Sequence, residues 1–235
     1  DLTPNHRLYA SYTEIFQPQN LRDGTGATLD PILGEAFEIG LKSSFFDDAL
    51  QTSIAVFSIQ QDGLGQPTGG SVPGSAPPEP AYRASDGATS EGFEVEVLGR
   101  VSENWNLSVG YSQFEIEDAA GADVNTDQPR KSFTLFTTYS FDGALNGLTL
   151  GGGVSWRSYA YSNATNPVTL APTRIEQDQY ALVNLMARYD INDNVSIQAN
   201  VDNVFDETYY SQISFFSQYR YGAPRNYTLA LKYRF

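Results

Sequence analysis

The 235-residue chain has no cysteine, so disulfides, thiolate metal sites and cysteine nucleophiles are excluded. It has one histidine, His6. A Ser-His-Asp site would have to use that residue, and no nucleophile, base and orienter assemble around it. Basic residues are scarce: 14 Lys and Arg stand against 28 Asp and Glu, a formal net charge of −14. A nucleic-acid binder needs a cationic face for phosphates, so that class is excluded as well. Long hydrophobic runs are also missing. No stretch nears the ~18 apolar residues of a spanning helix, and no 3.6-residue period runs between the many Gly and Pro. The chain opens at Asp1 with no signal peptide in view, which reads as a processed or truncated product.

What is present is tyrosine, phenylalanine and alternation. Tyr227, Leu229, Leu231, Tyr233 and Phe235 fall on one face of an extended segment, with Thr228, Ala230, Lys232 and Arg234 on the other. Val195, Ile197, Ala199 and Val201 repeat the pattern, as do Trp105, Leu107, Val109 and Tyr111. Ten strands are predicted, over 5–12, 35–45, 50–60, 89–101, 105–117, 130–140, 147–159, 179–190, 195–204 and 225–235. Most have the ~9–11 residues of a tilted membrane strand. Their connections alternate in length. Short turns lie at 46–49, 102–104, around Asp142-Gly143 and at 191–194, and long loops at 13–34, 61–88, 118–129, 160–178 and 205–224. A secreted β-sandwich or solenoid has no reason to make every second loop long. An outer-membrane barrel does, with turns toward the periplasm and loops outside. Aromatics such as Phe45, Phe46, Trp105, Tyr139, Phe141, Tyr159, Tyr161, Tyr180 and Tyr189 gather at strand ends, where interfacial girdles belong.

Three groups of acidic and amide residues invite a chemical reading and have a plainer one. Asp47 with Asp48 lies in a tight turn, and Glu94 with Glu96 projects from the polar strand face. Asp190, Asn192, Asp193 and Asn194 superficially resemble a calcium loop but lack its Gly and terminal Glu, so a turn is expected.

Four stretches resemble TonB-dependent ferric-siderophore receptors of the outer membrane: Leu8 to Gln19, Leu33 to Lys42, Asn200-Val201-Asp202-Asn203-Val204-Phe205-Asp206-Glu207-Thr208-Tyr209-Tyr210, and Tyr221-Gly222-Ala223-Pro224-Arg225-Asn226 before a strand ending in Phe235. The subgroup most resembled takes hydroxamate, coprogen or pyoverdine-type siderophores. The resemblance spans essentially residues 1–235. It implies an all-β, antiparallel transmembrane barrel of about 22 strands, of which these are some ten C-terminal ones, with the plug domain and TonB box outside this chain. Ten strands could also close into a small barrel of their own. A passive channel and a structural or adhesive barrel remain as alternative functions.

The resemblance further implies that iron arrives inside the siderophore, so neither a protein metal site nor a cofactor is expected. The partners it implies are a ferric siderophore, the TonB complex through the absent N-terminal region, outer-membrane lipid and the barrel assembly machinery. A bulky chelate needs aromatic walls with a few polar anchors. Tyr82, Arg83, Tyr159, Tyr161, Tyr209, Tyr210, Phe215, Phe216, Tyr219, Arg220 and Tyr221 are the candidates for ligand contact. Tyr227, Leu229, Leu231, Tyr233 and Phe235 resemble the C-terminal assembly signal. Arg100, Arg157, Arg188, Lys232 and Arg234 are expected to face the lumen and pair with carboxylates or with the plug. The long loops carry many Asp and Glu but only scattered Arg22, Arg83, Arg174 and Arg220, which favours a neutral or cationic chelate over an anionic one.

Overall fold

Strict alternation of apolar and polar side chains produces a single layer of antiparallel strands. The structure, a computed structural model, describes residues 2–85, 87–166, 168–169, 171–213 and 219–235. In chain order the strands are β1 (His6–Gln17), β2 (Ile32–Phe45), β3 (Leu50–Asp62), β4 (Gly65–Ser71), β5 (Pro80–Ala84), β6 (Ala88–Ser102), β7 (Trp105–Asp118), β8 (Lys131–Ser140), β9 (Leu148–Arg157), β10 (Ala160–Thr165), β11 (Pro172–Gln177), β12 (Tyr180–Asp190), β13 (Val195–Asp202), β14 (Tyr210–Gln212), β15 (Arg220–Tyr221) and β16 (Asn226–Tyr233). Ten of them form one sheet in the order β1-β2-β3-β6-β7-β8-β9-β12-β13-β16, each paired with its neighbour in an up-and-down meander. The sheet does not close on itself: β1 and β16 are its two edges.

Register shows what the alternation achieves. One cross-strand row reads Leu8, Leu41, Ile54, Val95, Tyr111, Phe133, Trp156 and Ala181. The adjacent row, one residue along each strand, reads Tyr9, Gly40, Ala55, Glu94, Ser112, Ser132, Arg157 and Tyr180. One face is therefore apolar and the other polar over eight strands, because side chains alternate with period two.

Among the described residues, nothing packs beneath the apolar face. Phe37, Ile54, Leu229 and Leu231 are 59%, 50%, 72% and 73% exposed. Among the described residues the buried apolar side chains are only Ile32, Ala55, Val72, Ala81, Ala160 and Ile213. The accessible surface is 15583 Å², against about 10,500 Å² for a compact soluble protein of this mass. A β-sandwich would bury that face against a second sheet; here the apolar row is a surface for lipid.

All ten strands expected from the alternation are present. Two boundaries differ by more than two residues. β1 continues to Gln17 and β2 begins at Ile32, so 13–17 and 32–34 are strand rather than loop. The reason is pairing: Thr13 to Gln17 meet Ala36 to Ile32 rung for rung, and the ladder satisfies backbone groups that a loop would leave to water. Three long loops also contain hairpins, β4–β5, β10–β11 and β14–β15, which Gly, Pro and polar residues disguise as irregular chain. Loop 61–88 is thus ordered around β4 and β5 over its described residues.

At the short-turn end Asp47 and Asp48 occupy left-handed turn positions with φ of 54° and 64°. Asn192 Oδ1 accepts from the Asn194 and Val195 backbone N–H groups, an Asx turn rather than a cation loop. Gly99, with φ 138°, pairs with Leu50 beside the bulge at Arg100/Ser102, and a Cβ there would overlap the Ala49 carbonyl. Gly99→Ala is expected to destabilise the sheet by about 3 kcal/mol. Urea unfolding of the full-length protein in detergent measures it, and an unchanged midpoint would refute the strain.

Candidate functional site

The long-loop end of the sheet is built from loops that interlock. Loops 18–31 and 63–85 pack as one body. Gln19 Nε2 donates to the carbonyls of Gly63 and Asp30, Tyr82 N–H donates to Arg22 O at 2.8 Å, and Val72 and Ala81 are buried in the same body. Arg22 lies 3.9 Å from Glu79, and Arg83 donates to Gln66 Oε1 at 3.2 Å. Asp23 caps its own turn: Oδ1 accepts from Thr25 N–H, Thr25 Oγ1 and Ala27 N–H. Those bonds, the Thr25 hydroxyl first, hold its carboxyl below the ordinary 3.8. A depressed carboxyl contributes order above its unfolded pKa and loses it as pH falls through the folded value. Protection of the Thr25 and Ala27 amides, measured against their intrinsic exchange rates, should therefore fall below about pH 4. Asp23→Asn should show the same protection on both sides of that pH; retained acid sensitivity of protection in that variant would assign the effect elsewhere.

A second body forms around β10 and β11. The rings of Tyr159 and Tyr161 lie 5.9 Å apart, and the Arg174 guanidinium sits 4.1 Å over Tyr161. Tyr159 donates to Glu176 Oε1 at 2.9 Å, and Tyr161 N–H donates to Thr126 O, tying the hairpin to loop 118–129. Burial pushes the Tyr159 hydroxyl above its ordinary value, Glu176 adds to this and Arg174 opposes it.

The third body is the last long loop. Tyr180 stacks on Tyr209 at 4.6 Å, and Tyr210, Tyr219 and Tyr221 form a cluster with centroid separations of 4.7, 5.0 and 5.8 Å. Tyr219 and Tyr221 are more than half exposed. The Tyr210 hydroxyl is held above 10.0, first by its hydrogen bond with Tyr221 and then by burial. The Tyr210 phenol is therefore neutral at physiological pH, offering a ring face and a hydroxyl hydrogen bond without charge.

The sequence-derived candidates fall into three places. Tyr209, Tyr210, Tyr219, Arg220 and Tyr221 come together at β14–β15; Tyr159 and Tyr161 share the base of β10–β11; Tyr82 and Arg83 sit on β5, in the loop between β3 and β6. Phe215 and Phe216 lie outside the described residues. Sequence reading did not single out Gln177, counted Arg174 and Glu176 only as loop charges and Asn203 only within a family-like stretch, and treated Tyr180 only as a girdle residue. Tyr180 follows the polar row of the sheet, and that parity was the available signal.

The polar face carries the expected cations. Arg188 meets Asp190 at 2.6 Å and shares a hollow of about 520 Å³ with Lys232 and Arg234 at the short-turn end. A second hollow of about 620 Å³ is lined by Arg7, Tyr9, Glu38, Lys42, Glu94 and Glu96. His6 is spent locally, with Nδ1 2.8 Å from Ser43 Oγ and its ring edge-on to Phe45. Among the described residues no group of three His, Cys, Asp or Glu is arranged to hold a metal ion.

Residues 1–204 match the family model described as TonB dependent receptor-like, beta-barrel. The chain belongs to that family. It is 41% identical over its whole length to the ferric-pyoverdine 358 receptor of Pseudomonas putida, covering 28% of that protein. It superposes with a TM-score of 0.91, at 37% identity over 99% of its length, on 31% of the Pseudomonas aeruginosa outer-membrane ferripyoverdine receptor bound to ferripyoverdine. The alcaligin outer-membrane receptor of Bordetella pertussis matches 87% of the chain at 42% identity, with a TM-score of 0.68. The chain thus spans less than a third of the length of its pyoverdine-receptor relatives. As a TonB-dependent receptor barrel it is an outer-membrane wall, with the apolar row toward lipid, the polar row toward the lumen and the long loops extracellular.

Proposed function

We propose that this chain is a C-terminal portion of the barrel of a receptor that imports ferric siderophores of the pyoverdine type. The observation that carries the reading is the tyrosine cluster of β14–β15, raised on the extracellular end of the barrel wall beside Tyr180 and Tyr209. In the whole receptor these rings form part of the vestibule that captures the chelate, with iron as cargo inside its ligand. TonB acts through a region of the protein outside this chain. The two polar hollows, with Arg188, Lys232 and Arg234 in one and Glu38, Glu94 and Glu96 in the other, are surfaces for the plug that such a receptor carries. The outward aromatic strand β16, ending at Phe235, serves recognition by the barrel assembly machinery.

Charge sharpens the ligand class. Of the extracellular cations, Arg22, Arg130 and Arg225 lie within 4.0 Å of Glu79, Glu115 and Asp206, while Arg83 and Arg174 are engaged by Gln66 and Tyr161. Three guanidiniums paired with carboxylates, in loops rich in Asp and Glu, leave a weakly cationic mouth, suited to neutral or cationic hydroxamate-bearing chelates. The test is uptake of radioiron by cells whose only siderophore receptor is the full-length protein. Ferric pyoverdine should enter only with functional TonB, and a triply anionic ferric catecholate should bind at least tenfold more weakly than a ferric hydroxamate. TonB-independent entry would make the protein a passive channel, and no entry at all would leave an adhesive or structural barrel.

A further inference from the structure

Where β13 ends, the motif Asn200 to Tyr210 enters the last extracellular loop through Asn203, which is only 4% exposed and has φ 51°. Its backbone N–H donates to Asn184 Oδ1 at 2.9 Å. Its side-chain Oδ1 accepts from Glu207 N–H at 2.8 Å, and Nδ2 donates to the carbonyls of Glu207 at 2.9 Å and Ala223 at 3.2 Å. One carboxamide thus closes the 203–207 turn and ties it to the returning limb of the loop. Gln177, also buried, reaches the same segment from the preceding loop: Oε1 accepts from Tyr210 N–H while Nε2 donates to Asp178 O at 2.7 Å. Between these anchors the Tyr209 ring covers Gly222, where any Cβ would overlap it, and Gly222 N–H donates to Tyr209 O at 2.8 Å.

We propose that Asn203 and Gln177 are positioning residues for ligand capture. Together they tie the 177–178 end of one loop to the 203–213 and 219–224 limbs of the next and present Tyr210 and Tyr221 as a preformed surface. The chemistry of each anchor is specific. Left-handed φ is tolerated by Asn among side-chain-bearing residues, and only a carboxamide both donates to two carbonyls and accepts from an N–H. Fixing the rings before the chelate arrives removes an ordering cost from binding. The proposal rests on the tyrosine surface being a ligand contact, as proposed above.

The experiment uses the full-length receptor with ferric pyoverdine as probe, and variants Asn203→Ala, Asn203→Asp, Gln177→Ala and the double variant Tyr210→Ala with Tyr221→Ala. Each loop variant should bind about tenfold more weakly and be cut faster by trypsin after Arg220. Saturating ligand should restore protection, and heat-modifiable migration should show an intact barrel. In the tyrosine-deleted background Asn203→Ala should cost no further affinity, because positioning acts only through those rings; a merely structural role would remain additive. Affinity unchanged within twofold in Asn203→Ala, with the tyrosine variant weakened, overturns the proposal and leaves the ligand surface standing. Normal binding by the tyrosine variant removes the ligand surface and the proposal with it.

Discussion

Arginine at both Leu229 and Leu231 is expected to remove the receptor from the outer membrane. Both side chains lie on the apolar face of β16, opposite Ala199 and Ile197, and both are more than 70% exposed. No described residue covers them, and on the outer face of a membrane barrel their solvent is lipid. An arginine at mid-bilayer on that face costs about 2–4 kcal/mol, so the pair costs about 4–8 kcal/mol, comparable to the whole stability of many domains. Thr228, one residue away, faces the lumen opposite Asn200, and Thr228→Arg should be accepted there. Immunoblots of outer-membrane fractions, with and without heating, compare the two. Equal loss in both would mean that β16 is sensitive to any charge; equal retention would mean that Leu229 and Leu231 are not in lipid.

Removing both rings in Tyr210→Ala with Tyr221→Ala is expected to weaken ferric-pyoverdine binding by about 10- to 100-fold, the range for two central aromatic contacts. The rings are 5.0 Å apart, with Tyr221 57% exposed and Tyr210 half-buried beside it, so the pair keeps ring surface open. Tyr209 differs, since its ring is spent on Tyr180 and Gly222. Tyr210→Phe with Tyr221→Phe keeps the ring faces and loses the hydroxyls. It should bind within about threefold of the parent if stacking carries the contact. Titration by fluorescence quenching decides it: full affinity in the alanine pair would rule out this surface, and equal loss in the phenylalanine pair would move the contact to the hydroxyls.

The strands were legible because membrane barrels leave the period-two signal undisturbed. With no second layer, each residue has one of two surroundings, lipid or lumen, and its type reports which. Leu8, Leu41 and Ile54 could be assigned to one face without knowing their partners, and register then joined them into one row. Loop lengths were legible for a similar reason, since turns such as 191–194 carry local Asx chemistry. The site was legible only in composition. Tyrosines at 209, 210, 219 and 221 stood out, but their grouping depends on β14 pairing with β15. The anchors Gln177 and Asn203 carry no alternation at all. Their role arises from hydrogen bonds to backbone groups at 210, 207 and 223, made by residues up to 33 positions away.

By itself, then, the amino-acid sequence determined the class of fold, the ten strands, which face of each meets lipid and which end carries the long loops. These follow from local periodicity and from solvent on either side of one layer. Only the tertiary structure decided that the loops fold into hairpins and interlock, and that Tyr180 stacks on Tyr209. It also decided that two buried carboxamides hold the last loop. Those outcomes depend on which backbone N–H and carbonyl groups are left unpaired once the sheet is made, and that accounting exists only when the distant segments have met.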